Sequence, residues 1–60
     1  MTYEFADYGD QYYFSHPTLE AAKADAADVL GLPLNSWTQV DPTMWVNMYR
    51  DDCQIVAYVR

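Results

Sequence analysis

A single cysteine, Cys53, excludes an intramolecular disulfide, and with it the stapled secreted mini-protein that a 60-residue chain could otherwise be. Basic residues are scarce: Lys23, Arg50 and Arg60 stand against nine acidic residues, for a formal net charge of -6. Nucleic-acid backbones and anionic membrane surfaces are therefore poor direct partners, because Lys and Arg supply most of the affinity for phosphate. With two glycines in the chain there is no Gly-rich phosphate loop, and no Ser-based elbow or zinc-helix motif occurs. No apolar run approaches the ~20 residues that span a bilayer. The first residues, Met1-Thr2-Tyr3-Glu4-Phe5, lack the basic and apolar regions of a signal peptide, so a cytoplasmic location is expected. Repeats, low-complexity tracts and Pro/Gly-rich linkers are missing too, and residues 1–60 read as a single domain.

What the chain does carry is apolar and aromatic weight, 52% and 17% of its residues. A domain of this size buries only roughly 60% of the surface its unfolded chain exposes, so each large apolar side chain matters. The aromatic fraction exceeds what one small core needs.

Two aromatic-rich runs, Tyr3 to Tyr8 and Gln11 to Ser15, flank Gly9-Asp10, a Gly-first pair suited to a two-residue type II′ hairpin turn. Counting outward pairs Asp7 with Tyr12, Ala6 with Tyr13 and Phe5 with Phe14, which places Tyr3, Phe5, Tyr12 and Phe14 on the core side. A helix start follows at Ser15-His16-Pro17-Thr18-Leu19-Glu20, where a Ser or Thr cap, an early Pro and an early Glu complement free amides. The helix runs to Leu30 and is stopped by Gly31 and Pro33. Leu19, Ala22, Ala26, Val29 and Leu30 form its buried stripe, with Glu20, Ala24, Asp25 and Asp28 on or near the opposite side.

The remainder reads as a three-stranded meander: Trp37 to Val40, Met44 to Tyr49 and Cys53 to Val59, with turns at Asp41-Pro42-Thr43 and Asp51-Asp52. Pairing about Asp51-Asp52 sets Met48 against Ile55, Val46 against Ala57 and Met44 against Val59. With Val40 these residues make one apolar face for the helix to cover. The fold class expected is thus α+β, in the order ββαβββ, with one helix packed on one face of an antiparallel sheet. The same pairing leaves Trp37, Trp45, Tyr49, Val56 and Tyr58 on the uncovered face, ringed by Gln39, Asn47, Gln54 and Arg60. An aromatic patch of that kind suits docking onto a partner protein, or a homodimer. Glu20, Asp25 and Asp28 form a second candidate surface, an acidic helical face that suits a basic partner or imitates a phosphate backbone.

Catalysis and cofactor binding are not expected. His16 and Cys53 can be written as a nucleophile pair, but no third orienting group accompanies them, and neither has a second His or Cys with which to build a tetrahedral metal site. Asp7-Tyr8-Gly9-Asp10 and Asp51-Asp52 lack the ligand spacing of a calcium loop. Cys53 is read as a small core or edge residue.

The stretch Phe14-Ser-His-Pro-Thr-Leu-Glu-Ala-Ala-Lys-Ala-Asp-Ala-Ala-Asp-Val-Leu-Gly31, followed by Trp37, a turn and Trp45, resembles small accessory proteins of actinobacterial phages. The resemblance covers about half the chain. It implies a protein that binds a host protein in the host cytoplasm and blocks or redirects it, and it transfers no site residue.

Overall fold

The computed structural model describes residues 1–9 and 11–59, with Tyr12 by its backbone alone. Asp10, half of the expected first turn, and Arg60, placed on the expected open face, lie outside the described residues. The elements follow in the order β1 (Thr2–Asp7), β2 (Tyr12–His16), α1 (Leu19–Leu30), β3 (Trp37–Asp41), β4 (Met44–Asn47) and β5 (Cys53–Tyr58). All strand pairs are antiparallel, and the N-terminal hairpin joins the C-terminal meander in one five-stranded sheet of order β2-β1-β5-β4-β3. The α+β, ββαβββ arrangement stands as expected. No helix among the described residues is long and apolar enough to cross a membrane.

The helix begins where its chemistry says it should. Thr18 is the N-cap, its hydroxyl accepting from the Ala21 amide at 3.1 Å, and Gly31 closes the other end in the left-handed region at φ 70°. Gly31 N–H donates to the Ala27 carbonyl and Leu32 N–H to that of Ala26, so two end carbonyls are satisfied and the chain turns back toward the sheet. α1 packs across β1 and β2. Ala22 and Ala26 are fully buried, and their small side chains let the helix lie close to Phe5; Leu19 and Leu30 pack at the margin. Val29 departs from the expected stripe and is 46% exposed.

Phe5 on β1 is opposed by Ile55 on β5, and both are fully buried. Burial of each such side chain contributes about 1.5–3 kcal/mol. Around them sit Leu32, Trp37 and Cys53, with Tyr3 and Trp45 partly buried alongside. The helix reaches only half the sheet. The other half is closed by the α1–β3 connection and the two tryptophans.

The register of β4 against β5 differs from the expected one. Met44 pairs with Val56, Trp45 with Ile55 and Val46 with Gln54, a shift of three residues that turns β4 over. The cause is the β4–β5 connection. It is no two-residue turn on Asp51-Asp52 but a longer loop organised by Asn47, which is 3% exposed. Asn47 Oδ1 accepts from the Tyr49 and Arg50 amides at 2.8 and 3.1 Å, while Nδ2 donates to Ser36 Oγ at 2.8 Å. Ser36 in turn donates through its hydroxyl to the Pro33 carbonyl at 2.6 Å, tying the loop to the α1–β3 connection. Because side chains alternate with period two, an odd shift exchanges the faces. β3 follows β4, pairing Thr38 with Val46 as expected but with an irregularity between Gln39 and Asp41.

Candidate docking face

The exchange relocates most of the expected site. Trp37 and Trp45 belong to the covered face. Trp37 is 9% exposed and meets Phe5 edge-on at 6.0 Å, and Trp45 lies 5.9 Å from Tyr3. Among the described residues Trp37 Nε1 is buried without an acceptor, a cost that the packing of the indole has to offset. Asn47 and Gln39 share that side of the sheet. Conversely Met44 and Val46, expected beneath the helix, alternate onto the open face, while Val40, Met48 and Val59 are exposed. Ile55 and Ala57 are covered, as expected. Tyr49 lies in the β4–β5 loop, 70% exposed and away from the strands.

The open face that results is built from three cross-strand rows. Thr38, Val46, Gln54, Ala6 and Tyr13 form the first; Met44, Val56, Glu4 and Ser15 the second; Tyr58 and Thr2 the third. Tyr8, just past β1, stacks its ring edge against Tyr13 at 5.7 Å. Tyr8 and Tyr13 are each 49% exposed and Tyr58 40% exposed. Of the expected open-face set, Gln54, Val56 and Tyr58 keep their place. Tyr8 and Tyr13 were absent from it, although the first hairpin's register already set them opposite the core side.

The acidic helical face is smaller than the sequence implies. Glu20 and Asp28 are exposed, but Asp25 faces β2, where its carboxylate lies 3.0 Å from His16 Nε2 with both side chains largely covered. His16 thereby holds the strand end against the helix.

A second cluster was not anticipated. Asp7, fully buried at the end of β1, accepts from the Gly9 amide at 3.1 Å and lies 3.6 Å from Arg50, which also reaches Asp52 at 3.4 Å. Asp52 carbonyl receives the Tyr8 amide at 2.9 Å, so the β1–β2 turn and the β4–β5 loop are clamped together. Gly9 is constrained here by space rather than by backbone freedom. A Cβ at that position would run into the Asp52 carboxylate, while the positive φ expected of a type II′ glycine falls instead on Gln11 at 56°. The hydrogen bond that the Arg50 guanidinium donates to Asp52 raises the Arg50 pKa further. Burial, reinforced by the charge of Asp7, pushes the Cys53 thiol up to about 11. The ligand atoms of Asp7, Asp52 and Cys53 lie within 4.8 Å of one another. That grouping suits the guanidinium already beside it better than a metal ion, because the thiol is protonated at neutral pH and Arg50 supplies the positive charge. The same protonation makes Cys53 a poor nucleophile. In the sequence Asp52 reads only as half of a turn and Asp7 only as a strand residue opposite Tyr12.

Among the described residues there is no enclosed pocket. Comparison with protein-family models, with curated protein sequences and with solved structures finds no match to this chain.

Proposed function

We propose that this is a non-enzymatic binding module that docks its open sheet face onto a partner protein and modulates it. The observation carrying this reading is the patch of Tyr8, Tyr13 and Tyr58 with Met44, Val46 and Val56, contiguous by register and left bare by the single helix. Tyr and Met are enriched in the centres of protein interfaces, and a rigid sheet presents them at low entropic cost. The net charge of -6 favours a basic partner surface, with Glu20 and Asp28 adding to long-range attraction. A host protein is the partner class that fits a phage accessory protein. Self-association through the same face is disfavoured by bringing together two copies of equal charge.

The test is kinetic. With a partner isolated by affinity capture, Tyr13→Ala with Tyr58→Ala should accelerate dissociation about tenfold or more. Glu20→Lys with Asp28→Lys should slow association and flatten its salt dependence. Partner binding that survives the tyrosine pair unchanged refutes the assignment, and a dimer that persists on dilution in light scattering would favour the homodimer.

A further inference from the structure

Glu4 stands near the middle of the open face, on β1 between Ser15 of β2 and Val56 of β5. It is partly buried, and among the described residues no cation pairs with it. Of the described Lys and Arg residues, Lys23 is on the helix, packed against the other face, and Arg50 is held by Asp7 and Asp52. The ground around Glu4 is apolar and aromatic. Val56 is its direct neighbour, Met44 lies one strand further on, and Tyr13 and Tyr58 occupy opposite diagonal corners. Diagonal neighbours of this kind lie about 7–8 Å apart, within reach of a long side chain or a ring.

A carboxylate in such a setting is costly to cover with an apolar surface unless a cation meets it, since desolvation without a partner is penalised. An interface closing over this face is therefore stabilised when it brings a cation to Glu4. Arginine fits best. Its planar fork pairs with a carboxylate, its plane stacks on tyrosine, and its methylene stem lies well on aliphatic side chains.

Resting on the docking reading above, we propose that the partner inserts an arginine at the centre of the open face. Its guanidinium is bound by Glu4, its stem lies along Val56 and Met44, and Tyr58 or Tyr13 stacks on it according to the direction of entry. The partner is thus a protein segment with an arginine between apolar residues, and the acidic helix has no part in this contact.

The experiment is an amide-resolved NMR titration of the intact protein with the capped peptide Ala-Leu-Arg-Leu-Ala and with its citrulline counterpart, which keeps shape and loses charge. The arginine peptide should cause saturable shifts centred on Glu4, Val56 and Tyr58. Citrulline should weaken binding about fivefold or more, and Glu4→Gln should do the same without disturbing the helix amides. Equal binding of both peptides to this face would overturn the arginine site while leaving the docking reading intact. Shifts centred on Glu20 and Asp28, or no saturable shift at millimolar peptide, would also overturn it, and the tyrosine variants with the natural partner then judge the docking reading separately.

Discussion

Asn47→Ala removes the side chain that sets the loop between β4 and β5, and its cost can be worked from the bonds it makes. Three are lost: two accepted from the Tyr49 and Arg50 amides and one donated to Ser36. At about 1 kcal/mol net for each, the sum is about 3 kcal/mol. The two amides are only part-buried, so water recovers some of this and ~2–3 kcal/mol remains. A domain of this length has a total stability of about 3–9 kcal/mol, so the variant forfeits a large share of it. The melting temperature should fall by roughly 10–20 °C. Urea unfolding followed by the fluorescence of Trp37 and Trp45 measures the loss. Met48→Ala is the control, since that side chain is in the same loop and 59% exposed, and it should cost under about 0.5 kcal/mol. If Asn47→Ala falls within about 0.5 kcal/mol of the parent, or if both variants lose equally, Asn47 is not what holds the loop.

Two further perturbations read the clamp between the first turn and the last loop. Cys53 is buried with its pKa moved from 9.0 to about 11, so the folded state holds its proton where the unfolded chain releases it. Stability should be unaffected by this group below pH 9 and should decline by about 1–3 kcal/mol as pH rises toward 11. Cys53→Ala should lack that part of the alkaline slope in pH-dependent urea melts, and parallel slopes for the two proteins would refute the account. Gly9→Ala places a methyl where the Asp52 carboxylate lies. That carboxylate is the free end of a side chain and can swing aside at the expense of its contact with Arg50, so the cost should be about 0.5–1 kcal/mol. Combined with Asp52→Ala the two losses should be less than additive in a double-mutant cycle, and strict additivity would show that the close approach does not matter.

The register of the first hairpin was legible, with Phe5 against Phe14 as its aromatic alternation implies, but its turn was not, since the positive φ expected at Gly9 falls on Gln11. The helix was legible from Thr18 and Gly31, two residues whose cap chemistry is local. The faces of β3 and β4 were not. In Met44-Trp45-Val46-Asn47-Met48 one alternation is wholly apolar and the other holds Trp45 and Asn47, so the pattern favours burying Met44, Val46 and Met48, the set that the structure leaves uncovered. The choice is made by Asn47, whose amide reaches Ser36, eleven residues earlier in the chain. A polar residue buried for the sake of a loop looks in sequence like an outward-facing one. The candidate site changes with the register: Trp37 and Trp45 pass to the core, Tyr58 stays, and Tyr8 and Tyr13 come in from the outer face of the first hairpin. Asp25 was misplaced for a similar reason, since its partner His16 lies nine residues away on another element.

The pairing of β1 with β5 has a consequence for how the domain folds. Phe5 meets Ile55, and Tyr3 meets Ala57, so β1 waits for β5, about fifty residues further along the chain. Until then the hairpin and helix have half a core, Phe5 against the alanines of α1, too little to hold them together. Folding of the domain is therefore governed by closure of one long loop, and its rate should depend on the stiffness of the chain between those two strands.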